Sequence, residues 1–184
     1  MGTVGFLTEI EVNETFDSLK KILKGEYYLE KRTKLVVSHE NHHYSALNEV
    51  VVMTDEPSKM LHFQVQVDGE IIEEFRADGL IISTPSGSTA YSMSAGGPIV
   101  DPNVGGFIII PICPYKLGVR PFIVSDESEI IVILLKKGKT AVFVMDGQIN
   151  EEAEYQEEIR FKKSDKHVYF IRNSNQCFYK KVKD

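Results

Sequence analysis

Two stretches of this sequence gather groups that can do chemistry. The longer runs from Asp78 to Gly97 and reads Asp-Gly-Leu-Ile-Ile-Ser-Thr-Pro-Ser-Gly-Ser-Thr-Ala-Tyr-Ser-Met-Ser-Ala-Gly-Gly. The hydroxyls of Ser83, Thr84, Ser86, Ser88 and Thr89 crowd one turn directly after the apolar run Leu80 to Ile82. Free N–H groups at a helix start favour an anion or a polar ligand, and hydroxyls there can extend such a site. The same hydroxyls can instead satisfy their own backbone, and the sequence leaves both readings open. Several nucleotide and nucleophile motifs are absent from this stretch. No Lys follows the glycine as in a phosphate-cradling loop, no Gly-x-Gly-x-x-Gly occurs, and no Gly-x-Ser-x-Gly presents a nucleophile.

The second stretch is Asn48-Glu49, an amide beside a carboxylate, set between apolar Ala46-Leu47 and Val50-Val51-Val52. Polar groups beside so apolar a strand need partners, and ribose hydroxyls are natural donors to a carboxylate. A strand-edge turn is the plain alternative. Asp146 follows Ala141 to Met145 in Asp146-Gly147, a turn dipeptide that also places a carboxylate at a strand end. His39, His42 and His43 lie at a hairpin tip without structural-zinc spacing, so a solvated polar loop is expected there and not a metal site.

These groups must be held by strands. Short apolar or alternating runs separated by turn signals recur along the chain: Tyr28 to Val37, Ala46 to Met53, His62 to Val67, Ile71 to Phe75, Phe107 to Ile112, Ile130 to Leu135 and Ala141 to Met145. Asp68-Gly69 marks a hairpin, and Lys136-Lys137-Gly138-Lys139 a solvated basic turn. Ile159, Phe161, Val168, Phe170, Phe178 and Tyr179 supply the last strands. Two short helices are expected. One begins near Asn13 with the stripe Phe16, Leu19, Ile22 and Leu23 and stops at Gly25; the other runs from Ser88 or Thr89 to Ala95. No alternating strand-helix rhythm appears. The expectation is a mainly β domain, a β-sandwich of two packed sheets with two short helices.

Composition narrows the classes. The chain has 184 residues, 42% hydrophobic and 26% charged, as expected of one soluble globular domain over residues 1–184. A net charge of −6 argues against a general nucleic-acid or anionic-membrane surface. Cys113 and Cys177 sit among apolar or aromatic neighbours and read as buried thiols of a reducing, cytoplasmic compartment. No apolar run approaches the roughly 20 residues of a membrane helix. Val4 and Phe6, flanked by glycines, look like the end of a buried strand, so residues 1–25 are expected to be a connecting strand end and helix that something else covers.

Gly5-Phe6-Leu7-Thr8, Ala46-Leu47-Asn48-Glu49-Val50, the stretch Asp78 to Ile99, and Met145-Asp146-Gly147 together resemble the NAD kinases, in that family's order and at its approximate spacing. The central motif is highly specific, and the resemblance covers nearly the whole chain. It implies an enzyme that phosphorylates the 2′-hydroxyl of the adenosine ribose of NAD to give NADP, with ATP or polyphosphate as donor and a divalent metal such as Mg. By resemblance, Asn48 and Glu49 contact the ribose and base region, and Asp78 lies near the nicotinamide half across a subunit boundary. Ser86, Thr89, Ala90, Tyr91 and Ser94 line the adenosine and nicotinamide pockets, Phe6 borders the site, and Asp146 lies near the reacting ribose. The family's N-terminal half carries a Gly-Gly-Asp-Gly motif whose Asp is the general base, and no Gly-Gly-Asp-Gly occurs in this sequence. The resemblance therefore implies the C-terminal, NAD-binding and oligomer-forming domain, as a fragment or a shortened product. It implies a homodimer or homotetramer, with no catalytic base of its own and little activity alone. A non-catalytic dinucleotide-binding or assembly module is the competing expectation.

Overall fold

The computed structural model describes residues 10–56, 59–173 and 178. Phe6, Cys177 and Tyr179 lie outside them. The elements in chain order are α1 Thr15–Leu23, β1 Tyr28–Arg32, β2 Leu35–His39, β3 His42–Ala46, β4 Glu49–Thr54, β5 Leu61–Val67, β6 Glu70–Ala77 and β7 Gly79–Ser83. They continue with α2 Tyr91–Ser94, β8 Gly106–Ile112, β9 Phe122–Ser125, β10 Ile130–Leu134, β11 Ala141–Met145, β12 Ile149–Ala153, β13 Glu158–Lys163 and β14 Val168–Arg172. They divide into two units: residues up to Arg32 with those from Val168 onward, and Thr33–His167.

The smaller unit contains α1 and the antiparallel ribbon β1–β14. A 3-10 turn, Val12–Glu14, leads into the helix, and Gly25 leaves it at φ +80°. The expected helix forms, but Phe16, Leu19 and Leu23 of its apolar stripe are exposed. Glu30 sits between two arginines, 2.6 Å from Arg32 and 2.5 Å from Arg172. The single strand expected from Tyr28 to Val37 is broken at Thr33-Lys34, and its halves belong to different units. Phe178, expected in a strand, is helical.

The larger unit is the sandwich. Its two six-stranded antiparallel sheets have the orders β3-β2-β13-β10-β5-β6 and β12-β11-β4-β7-β8-β9. Asp68 and Gly69, both at positive φ, close the β5–β6 hairpin as the sequence predicts. Period-two alternation sends Leu35, Val37, Phe63, Val65, Ile130, Val132, Ile159 and Phe161 inward from the first sheet. Val50, Val52, Leu80, Ile82, Phe107, Ile109 and Phe143 meet them from the second.

Strands β4, β7 and β8 carry a second buried face. Val51, Ile81, Ile108 and Ile110 point away from the sandwich core and join Val100 in a separate apolar cluster, with Ala95 packed against it. The chain that follows β7 therefore lies over the outer face of the second sheet. This explains why these strands are apolar at successive positions, since alternation disappears when both faces are covered.

At three points the chain crosses from the first sheet to the second, β3 to β4, β6 to β7 and β10 to β11, and the first two bear on the candidate residues. The run Ala46 to Met53, expected to be one strand, is two: β3 ends at the edge of the first sheet and β4 enters the middle of the second. The corner is Leu47-Asn48. The second crossing joins β6 to β7 through Asp78 alone, whose N–H donates to the Ile112 carbonyl and whose carbonyl accepts from the Thr54 N–H, both at 3.1 Å.

Two-sided burial yields a test. Ile81→Ala should destabilise about as much as Ile82→Ala, each by ~2–5 kcal/mol. Urea denaturation checks it, and a near-neutral Ile81→Ala would show that the outer face is not packed.

Candidate functional site

The Leu47–Glu49 corner is gripped from two sides. On one side, the Asp146 carboxylate accepts from three successive backbone amides: Leu47 at 2.7 Å, Asn48 at 2.8 Å and Glu49 at 3.1 Å. The Asp146 N–H returns a bond to the Glu49 carbonyl at 3.0 Å. Asp146 and Gly147 turn the chain from β11 into β12 at φ 47° and 67°, a left-handed conformation that Asp tolerates better than most side chains.

On the other side stands the hydroxyl-rich turn. The Thr84 N–H donates to the Asn48 carbonyl at 2.8 Å, and Thr84 Oγ1 donates to the Leu47 carbonyl at 2.6 Å while accepting from the Gly87 N–H at 3.2 Å. Ser83 Oγ reaches the Asn48 and Thr84 carbonyls. Ser88 Oγ donates to the Pro85 carbonyl at 2.7 Å and accepts from the Val100 N–H at 3.1 Å. A Cβ on Gly87 would stand 2.2 Å from the Asn48 carbonyl oxygen, so only glycine lets the turn close on the corner.

These contacts decide between the two sequence readings for part of the turn. Ser83, Thr84 and Ser88 are buried and serve the backbone. The expected helix from Ser88 or Thr89 to Ala95 is also corrected. The segment is a 3-10 turn, Ser86–Thr89, a break at Ala90, and the single-turn α2, with no side-chain cap. Ala90 at φ −99°, ψ −130° interrupts the helical path. One turn is too short to build an appreciable dipole, so no helix-start anion site forms. What remains open to a ligand is the outer rim: Ser86, Thr89 and Ala90 are half-buried, and Tyr91 and Ser94 are exposed.

Glu49 is buried beside this rim, and its Oε2 has no hydrogen-bond partner among the described residues. Burial, and then the neighbouring Asp146 charge, push its carboxyl up to about 7 from 4.5. Ser92 Oγ is likewise buried and unpartnered. Thus the fold brings together Asn48, Glu49, the Ser86–Ser94 rim and Asp146.

Asp78 is not in that group. It lies at the opposite end of β7, whose five residues span roughly 16 Å. Sequence reading missed a cationic hollow of about 440 Å³ lined by Lys59, Met60, His62, Arg76, Lys136 and Lys139. His62 and Arg76 are cross-strand partners of β5 and β6, so the hairpin signal at Asp68-Gly69 could have paired them. Lys136 and Lys139, expected to be merely solvated, complete it. Arg76 also stacks on Tyr115, 4.9 Å from the ring centre.

Two further expectations change. His42 and His43 are exposed at the β2–β3 tip, but His39 is buried, with Nε2 3.1 Å from Glu157 and its ring edge-on to Phe143. Cys113 is exposed where a buried thiol was expected, because it lies just past β8 in a turn at φ 47°. Among the described residues, no three His, Cys, Asp or Glu gather in a metal-binding group.

A model of the ATP-NAD kinase C-terminal domain matches residues 47–173. The chain is 57% identical over its whole length to an NAD kinase of Methanothermobacter thermautotrophicus, spanning 65% of that protein. It is 49% identical to a bifunctional NADP phosphatase/NAD kinase of Methanococcus maripaludis, over all of this chain and 33% of that one. The fold superposes on an NAD kinase from Archaeoglobus fulgidus solved in complex with ATP, with a TM-score of 0.84 and 35% identity over 97% of this chain and 70% of the other. It superposes on yeast NADH kinase complexed with NADH, with a TM-score of 0.90 and 25% identity over 100% of this chain and 56% of the other.

Glu49 gives a pH test. Its folded carboxyl titrates near 7 against 4.5 for the free group, so the folded state holds an extra proton between those values. Stability should fall as pH rises through that window. Glu49→Gln should flatten the slope, by on the order of 3 kcal/mol in total. Urea denaturation at mildly acidic and mildly alkaline pH measures it, and parallel slopes for both proteins would refute the assignment.

Proposed function

The chain belongs to the family of ATP-NAD kinase C-terminal domains, and from that premise we propose that it forms the NAD-holding part of a kinase that phosphorylates the 2′-hydroxyl of the adenosine ribose of NAD to give NADP. The observation that carries this reading is the Glu49 carboxyl. It is buried, has one oxygen without a partner, and stands on a corner fixed from both sides. A hydroxyl donor from a ribose satisfies that oxygen and removes the cost of leaving it unpaired. Asn48 adds an amide at the same corner. Ser86, Thr89, Ala90 and Ser94 form a polar, half-open wall, and the exposed Tyr91 ring offers a stacking face for a base or nicotinamide.

The chain's part in the reaction is to hold and orient the acceptor. Phosphoryl transfer depends on alignment and electrostatic stabilisation, so fixing the ribose contributes directly to rate. The donor, ATP or polyphosphate, and a divalent metal belong to the proposal. The described residues do not fit such a metal: no ligand cluster forms, and the Asp146 oxygens are engaged by backbone amides. No residue here is assigned as the base. Phe6 and Asp78 complete the proposed NAD site. Asp78, with the cationic hollow, stands a β7 length from Glu49, and a homo-oligomer in which a second copy brings that end to the bound nucleotide belongs to the proposal. Among the described residues no helix is long and apolar enough to cross a membrane, and a cytoplasmic setting completes the proposal.

Calorimetric titration with NAD tests the site. Asn48→Ala and Tyr91→Ala should each weaken binding about tenfold, the scale of one buried hydrogen bond or one stacked ring. Unchanged affinity in both would remove it. Given NAD, ATP and magnesium, the chain alone should form little NADP, and turnover at an ordinary enzymatic rate of ~10 per second would place the base within it.

A further inference from the structure

We infer that Asp146 is a positioning residue: its carboxylate fixes the Leu47–Glu49 backbone and so aims the Glu49 side chain, and it does not itself contact the nucleotide. This rests on the reading that the ribose meets Glu49. Both Asp146 oxygens are engaged, Oδ2 by Leu47 and Oδ1 by Asn48 and Glu49. In an extended strand successive N–H groups point to opposite sides, so three can converge on one carboxylate only where the chain turns. That turn is the crossing from β3 to β4. The reciprocal bond from the Asp146 N–H to the Glu49 carbonyl ties the two residues twice.

The turn geometry agrees. At φ 47° Asp146 sits where glycine or asparagine is at least as comfortable. Asparagine, however, would offer one oxygen and turn an NH2 group toward the amides. The electrostatics are simple as well. From Gly79 to Ala90 and from Ala141 to Met145 no side chain is titratable, so those neighbours of Glu49 bring no charge except that of Asp146. Its negative charge disfavours ionisation of Glu49, after burial itself.

The test compares the wild-type chain with Asp146→Asn and Asp146→Glu. The Glu49 carboxyl is followed by carbon NMR in the ligand-free protein, and NAD affinity by calorimetry. In Asp146→Asn the Glu49 midpoint should move to lower pH and the NAD dissociation constant should rise about tenfold or more, the scale of a mispositioned charged contact. Asp146→Glu, which keeps the charge but displaces it, should lose affinity while leaving the midpoint higher than in Asp146→Asn. A carboxylate that served the fold alone would lower the denaturation midpoint and leave the NAD affinity in place, and that result overturns the inference. Should the variants not fold, the wild-type amide protons of Leu47, Asn48 and Glu49 decide. Their hydrogen-bonded shifts persist on saturation with NAD if Asp146 positions, and are lost if it swings to the ligand. A wild-type chain that binds no NAD defeats the functional reading, while loss of the hydrogen-bonded amide shifts of Leu47, Asn48 and Glu49 in Asp146→Asn still judges whether Asp146 holds the corner.

Discussion

A single corner of backbone, Leu47 to Glu49, is held between a carboxylate and a ring of hydroxyls, and the site depends on that double grip. Asp146 takes the N–H groups, and Ser83 and Thr84 take the carbonyls. Peptide groups at a point where the chain leaves one sheet for another have no ladder partner, and a buried unpaired peptide is costly. The sandwich solves this with side chains from two other strand ends. The solution also fixes the Glu49 backbone while leaving its Oε2 without a partner among the described residues.

The second constraint is the outer face of β4, β7 and β8. Val100 and Ala95 pack on Ile81, Ile108 and Ile110, which ties the segment between them to the sheet. Ser88 completes the attachment by bonding Val100. The hydroxyl turn is thus clamped at both ends, against the corner at Asn48 and against its own return. Its outer rim is thereby tied to the sheet, in keeping with the principle that precise sites sit on rigid elements.

The sequence conveyed the architecture well where one signal dominated. Asp68-Gly69 announced its hairpin, and Leu80 to Ile82 and Phe107 to Ile112 announced buried strands. It misled where two demands were met by one residue type. Ala46 to Met53 is apolar on both sides of the crossing, so no change of pattern marks the corner, and only the polar Asn48-Glu49 pair hints at it. Ser88 and Thr89 look like helix caps because capping and turn closure use the same hydroxyls. His39 and Cys113 were misjudged from sequence neighbours alone, since burial of one and exposure of the other are set by Phe143 and by a turn beyond β8. The cationic hollow combines residues from three separate segments, none of which is unusual by itself.

The close approach of Gly87 to Asn48 has a consequence for how such a protein can diversify. Ser83, Thr84, Gly87 and Ser88 are committed to holding the chain together, so altering them forfeits the fold before it alters recognition. Tyr91 and Ser94 lie outside that set and are exposed. The stretch therefore mixes immovable and adjustable positions, and a laboratory selection on this chain would find its freedom in the second set.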